Sequence, residues 1–209
     1  MDKINQLIER YNRLDFLKWE IEKASEAIIN SFLKGGKLLV CGNGGSAADA
    51  DHIVGELMKS FERKRPVNQK LKSGLEDIDS SRGKYLAENL QQGLPAISLN
   101  AHSGLISAVA NDIDAAVVYA QQVVGYGNSG DILIGISTSG NSQNVIDALM
   151  VAKAKGLITI GLSGNTGGKM KAFCDFLINV PETRTAFVQE LHLPVYHTIC
   201  MIVEEHFFG

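Results

Sequence analysis

Residues 37–49 read Lys37-Leu38-Leu39-Val40-Cys41-Gly42-Asn43-Gly44-Gly45-Ser46-Ala47-Ala48-Asp49. Lys37 and the unbroken apolar run Leu38–Cys41 together have the length of a short buried strand. A glycine-rich turn follows at once, and Ser46 opens a segment of helical spacing that continues to Phe61. A strand buried on both faces that turns directly into a helix is the unit of a parallel sheet covered on both sides. Upstream, Lys34-Gly35-Gly36 stops a pattern in which Ile4, Leu7, Ile8, Tyr11, Leu14, Leu17, Ile21, Ala24, Ile28 and Phe32 recur at helical intervals over residues 2–34. That pattern predicts one long or two shorter amphipathic helices.

Downstream, four more apolar runs of strand length appear: Ala96–Leu99, Ile132–Ile136, Leu157–Leu162 and Phe176–Val180. Helix-length segments separate or follow them, among them Ile113–Val124, Ser142–Lys155 and Thr185–Phe208, the last expected to kink or break at Pro194. The alternation predicts an α/β fold, a doubly wound five-stranded parallel sheet flanked by helices, as one domain over residues 1–209. Its functional loops belong at the carboxyl ends of the strands. The polar, charged stretch 62–93 does not fit the alternation and reads as an excursion. Either it is a solvated loop with a short helix around Gly83–Gln92, or it is a lid or subunit-contacting arm.

Composition narrows the function classes. The 209 residues carry 20 Lys+Arg against 23 Asp+Glu, a net charge of −3 that gives no basic excess for nucleic-acid binding. No run of about 18 apolar residues offers a membrane span, and the first residues lack a secretion signal, so a cytoplasmic protein is expected. Cys41, Cys174 and Cys200 are isolated in apolar surroundings and read as reduced structural residues. The unusual count is 21 glycines, about a tenth of the chain where roughly 7% is average.

Several of those glycines fall where a strand meets a helix. The turn Gly42–Ser46 has its counterpart in Ser137-Thr138-Ser139-Gly140-Asn141-Ser142 after the third strand. Such turns gather backbone N–H groups and the positive helix end at one point, and glycine lets an anion come close. Neither turn has the spacing of a dinucleotide fingerprint or a Walker lysine. Each alone is explained by a tight connection with a serine N-cap, but a cap needs one hydroxyl and the second turn packs four into six residues. The pair predicts a site for a phosphorylated small molecule with a hydroxyl-rich rim.

A second constellation is chemical. His52 and Glu56 are four residues apart, on one face of the helix that Ser46 opens, and Gln189, His192 and His197 lie in a largely apolar segment near the other end of the chain. Imidazoles with a carboxylate and an amide oxygen suit zinc or another divalent ion. Core histidines and a surface His52–Glu56 pair explain the same spacing.

Gly42–Ser46, His52 with Glu56, Asn111-Asp112, Gly135–Ser142 and Gln189-Glu190-Leu191-His192 followed by His197, in that order, resemble the sugar isomerase (SIS) family, nearest its phosphoheptose isomerases. The resemblance spans nearly the whole chain. It implies an aldose–ketose isomerase, most directly one interconverting D-sedoheptulose 7-phosphate and D-glycero-D-manno-heptose 7-phosphate through an enediol-type intermediate. It implies that Ser46, Ser137, Thr138, Ser139 and Ser142 hold the phosphate end with Asn43 nearby, and that one zinc ion per site is bound by His52, Glu56, Gln189 and His197. Gln189 then also faces the substrate, with Glu56 as the base between C1 and C2 and His197 as the acid at the carbonyl oxygen. Homodimers or homotetramers with sites between subunits are implied as well. At His102 these isomerases usually carry an aspartate; an imidazole there changes how sugar hydroxyls are read and keeps another ketose phosphate open. The family also contains non-catalytic members, a partner of a replication initiator and sugar-phosphate sensors, which have no use for the combined His52, Glu56, Gln189 and His197.

Overall fold

A computed structural model describes residues 2–209. The periodic N-terminal segment forms two helices, α1 (Lys3–Arg10) and α2 (Lys18–Leu33), joined by the 3-10 segment Asn12–Leu17. Asp2 caps α1 by accepting the Ile4 N–H at 3.1 Å. Strand β1 (Leu38–Gly42) is fully buried and leads into α3 (Gly45–Met58). After the excursion come β2 (Ala96–Ser98), β3 (Ile132–Ser137), β4 (Ile158–Ser163) and β5 (Phe176–Asn179). All are parallel, in the order β2-β1-β3-β4-β5. This is the five-stranded doubly wound sheet read from the apolar runs, with strand limits within about two residues.

Because side chains alternate across a strand, the same strands feed two cores. Leu38, Val40, Ile132, Ile134, Ile136, Ile160 and Leu162 face a layer made by α1, α2, α3 and the C-terminal helix. Leu39, Cys41 and Leu133 face the opposite layer, which holds Val109, Val123, Val145 and Leu149. The strand order reverses between β1 and β3, whose ends Gly42 and Ile136 are register partners. The buried Asp131 carboxylate secures the other end of that pair, accepting Lys37 N–H at 3.0 Å and Asn128 N–H at 2.8 Å while pairing with Lys37 Nζ.

Three expectations are corrected. The excursion is a helical hairpin, α4 (Gln69–Ile78) and α5 (Ser80–Asn89), rather than a loop with one late helix. Its caps are local: Asn68 accepts the Leu71 N–H, and Asp79 accepts those of Ser81 and Arg82, which draws the Asp79 pKa down. The two helices cross closely enough that a Cβ on Gly83 would meet the Leu75 backbone. α4 buries no side chain, so the hydrophobic pattern carried no core signal for it. The second correction concerns residues 103–126: α6 (Ser103–Val109), a π turn (Ala110–Asp114) and a 3-10 turn (Ala115–Val117) precede α7 (Val118–Tyr126), where one helix over 113–124 was expected. The segment after β3 forms α8 (Gln143–Ala154).

The third is the break expected at Pro194. It lies inside α9 (Thr185–Phe208), which runs on without interruption. The proline removes one N–H from the ladder, but Val188, Leu191, Val195, Tyr196, Ile199 and Val203 are all buried on both sides of it, and tertiary packing outweighs the single lost bond. Burial raises the pKa of each cysteine thiol to about 12, in keeping with inert structural residues. Among the described residues no helix is long and apolar enough to cross a membrane.

Candidate active site

The glycine-rich and the serine-rich turn both arrive at the strand-order reversal, where open α/β sheets bind ligands. They are tied together by reciprocal amide bonds: Asn43 Nδ2 donates to Asn144 Oδ1 at 2.9 Å, and Asn144 Nδ2 donates to Asn43 Oδ1 at 3.0 Å. Gly44 stands at the N-cap of α3 with φ +57°, and no side chain caps that helix. Ser142 occupies the N-cap of α8, yet its hydroxyl is spent on Ser137 Oγ at 3.0 Å instead of on the helix. The serine-cap explanation therefore does not describe either turn: neither N-cap residue caps its helix with a side chain, although the Asn144 amide oxygen accepts the Val145 N–H at 3.0 Å within α8, and free N–H groups at a helix start attract an anion. Ser46 and Ser137 are buried at the bottom, Thr138 and Ser142 half-buried, and Asn43 and Ser139 exposed.

Residues not singled out from the sequence hold these turns in shape. Tyr119 Oη donates to the Gly42 carbonyl at 2.6 Å, and Asn100 Nδ2 donates to the same carbonyl at 2.7 Å. The Gly167–Gly168 turn packs against Gly140 so tightly that a Cβ on Gly140 would meet the Gly167 backbone; Gly140 itself has φ +67°. Met170 N–H also donates to the Gly140 carbonyl. Tyr119 reads as a core aromatic in sequence, and its only signal is a hydroxyl that needs a partner once buried.

The second constellation also assembles. His52 Nε2 lies 3.1 Å from Glu56 Oε1 and 3.5 Å from His197 Nε2, although 145 residues separate the two histidines. Gln189 comes from α9 against the start of α3, where a Cβ on Gly45 would strike its amide. Tyr196 Oη donates to Asp49 Oδ1 at 3.2 Å and lies 3.0 Å from His52 Nδ1, a contact that holds the His52 ring with its Nε2 toward Glu56 and His197. Burial, and then the neighbouring His52, lower the His197 pKa, so its ring is neutral at neutral pH. Lys59 pairs with the other Glu56 oxygen at 2.9 Å.

Two residues stay outside. His192 is a core histidine: its Nε2 donates to the Ser163 carbonyl at 3.2 Å, and burial pushes its pKa down to about 4. His102 is exposed at the start of α6, bonded to none of the others, and two positions before it Asn100 is the residue that reaches the Gly42 turn.

The donor set suits a metal only in part. A tetrahedral ion with ligands at 2.0–2.1 Å needs donor atoms about 3.3 Å apart, and the 3.1 and 3.5 Å separations around His52 are of that size. As they stand the side chains bond to one another, and among the described residues no group of three or more His, Cys, Asp and Glu is gathered as a metal shell.

The sequence profile of the SIS domain matches residues 1–89 and 80–164, the two segments meeting inside the helical hairpin. A phosphoheptose isomerase of Burkholderia pseudomallei (strain 1710b) is 40% identical over 90% of this chain and 83% of its own length. One from Synechocystis is 42% identical over 90% and 84%. The solved phosphoheptose isomerase of Neisseria gonorrhoeae superposes with a TM-score of 0.75 at 32% identity, over 96% of this chain and 94% of its own. That of Francisella tularensis gives 0.75 at 30% identity, over 98% and 97%. With both strand-end turns and the two-helix cluster in place on the same five-stranded sheet, the chain belongs to the SIS domain family, among its phosphoheptose isomerases.

Proposed function

We propose that the protein interconverts D-sedoheptulose 7-phosphate and D-glycero-D-manno-heptose 7-phosphate. The observation that carries this reading is the contact chain Glu56–His52–His197, built on the same α3 that opens at one of two helix N-termini whose N-cap residues make no side-chain cap. An aldose–ketose isomerase needs a fixed phosphate, a base for the proton alpha to the carbonyl, and a group that stabilises the developing oxyanion.

In this reading Ser46, Ser137, Thr138, Ser139 and Ser142 bind the phosphate, with Asn43 at its rim and Gln189 toward the sugar. The Glu56 carboxylate, buried but open on its Oε1 side to the cluster, takes the proton from C1 or C2 and returns it to the other carbon. His197, neutral at working pH, donates a hydrogen bond from its ring to the carbonyl oxygen; a neutral imidazole is an effective electrophile when its pKa is lowered. Zinc held by His52, Glu56, Gln189 and His197 would add Lewis-acid polarisation of the same oxygen. His102, near the neighbouring strand end, is assigned to the sugar hydroxyls at the pocket mouth. Self-association completes the reading: Phe16 and Trp19 are 57% and 58% exposed on the N-terminal segment, an apolar surface suited to a second copy.

The test is incubation of purified protein with sedoheptulose 7-phosphate while aldose formation and exchange of the C1 proton with solvent are followed. Turnover is expected. Turnover of a different ketose phosphate alone would replace the substrate, and absence of any turnover would return the chain to the binding proteins of its family. Elemental analysis of the same preparation, with His52→Ala beside it, reads the metal: about one zinc per chain, lost in the variant.

A further inference from the structure

Helices α3 and α9 are joined a second time, two turns beyond His197 on α9. Arg65, at the start of the excursion, has no exposed surface, and its guanidinium makes three bonds. Nε donates to Glu204 Oε1 at 2.8 Å, Nη1 to the Leu57 carbonyl at 2.6 Å, and Nη2 to the carbonyl of Glu56 itself at 2.9 Å. Glu204 is 1% exposed and fully used: its oxygens also accept the Phe61 and Glu62 N–H groups, both at 2.8 Å. These bonds hold the Glu204 pKa below the usual carboxylate range although burial opposes them. The Phe208 ring covers the guanidinium at 5.0 Å.

The placement is specific. The carbonyls at the C-terminal end of a helix lack intrahelical donors and carry partial negative charge, and Arg65 supplies two of them with a rigid fork. Glu204 follows His197 by seven residues on α9, two helical turns along the same face. A single guanidinium therefore joins the main chain of Glu56 to the helix that carries His197. A buried ion pair is a poor source of stability, because desolvation offsets most of its attraction and apolar side chains of similar volume pack as well. What an apolar replacement does not supply is a fixed distance between those two backbones.

We infer that Arg65 and Glu204 are a positioning pair for the isomerisation: they set the spacing of Glu56 and His197 without touching substrate. The inference rests on the assignment of Glu56 and His197 as base and acid. Displacing a reacting group by about 1 Å can cost about a hundredfold in rate, so the pair should act on kcat while leaving the phosphate turns, and hence KM, nearly untouched.

The experiment measures kcat, KM and thermal midpoint for the parent, Arg65→Met, Arg65→Lys and Glu204→Gln, each on sedoheptulose 7-phosphate and on fructose 6-phosphate. Expected are a kcat loss of about 30–100-fold in Arg65→Met, about tenfold in Glu204→Gln, partial recovery in Arg65→Lys, and KM within about threefold throughout. Should Arg65→Met fail to fold, the two conservative variants decide alone. Folded Arg65→Lys and Glu204→Gln with kcat within twofold of the parent, whatever their melting temperatures, would overturn the inference while the site assignment stands. A parent inactive on both sugars would remove the assignment and the inference together.

Discussion

The two halves of the site are built in opposite ways. The phosphate half is two contiguous stretches: Gly42–Ser46 and Ser137–Ser142 each lie at one strand end, and the Asn43–Asn144 amide pair ties the first to the helix that follows the second. The chemical half is assembled from α3 and α9, whose histidines are brought within 3.5 Å from 145 residues apart. Binding of an anion needs N–H groups and hydroxyls in rough convergence, which a turn provides locally. Proton transfer needs side chains at fixed separation, which only packed helices provide.

If the halves divide the work this way, substitutions should separate kcat from KM. Glu56→Gln should have the largest effect, about a thousandfold loss of kcat and of C1 proton exchange with sugar-phosphate binding retained, read by single-turnover kinetics and ligand titration. Retained exchange would take the base away from Glu56. Ser137→Ala should raise KM about 10–100-fold with kcat within a few fold, since it removes a charge-assisted hydrogen bond and the Ser142 contact. A kcat loss as large as that of Glu56→Gln would erase the division. Asn144→Ala unlinks the two turns and should raise KM about fivefold, close to 1 kcal/mol, for two half-exposed amide bonds.

His192 gives the smallest effect at neutral pH and sharpens the contrast from the core side. Its folded pKa is about 4 against 6.5 when exposed, so between those values the unfolded chain binds the extra proton. Stability should be flat above pH 6.5 and fall as pH drops toward 4, by up to about 3 kcal/mol. Denaturant titrations across that range, with His192→Leu showing a shallower slope, check the sign; a slope unchanged in the variant would assign the loss to other groups.

Legibility in sequence followed the same division. The strands, the glycine-rich turn and the serine-rich turn could be read from neighbours in the chain, because strand burial and turn chemistry are local. His52, Glu56 and His197 had the right chemistry, but spacing left them equal to a surface pair and a core histidine; family likeness joined them before geometry did. Tyr119 and Asn100 were silent, since a tyrosine in an apolar helix and an asparagine after a strand have many uses. Arg65 sat in the run Glu62-Arg63-Lys64-Arg65 that reads as solvated, and the only hint was its partner, a carboxylate in the apolar stretch Ile202-Val203-Glu204.

The helical hairpin has a practical consequence. Pro66 and Gln91 form an isolated antiparallel bridge, reinforced by Arg65 N–H on the Gln91 side chain and Gln92 N–H on the Arg65 carbonyl, so the chain departs and returns through a doorway one residue pair wide. Because closure cost rises only with the logarithm of loop length, a short turn, a reporter domain or an affinity tag can be exchanged for residues 67–90 while the sheet keeps its register. The fold thus carries its own socket for engineering, set apart from both halves of the site.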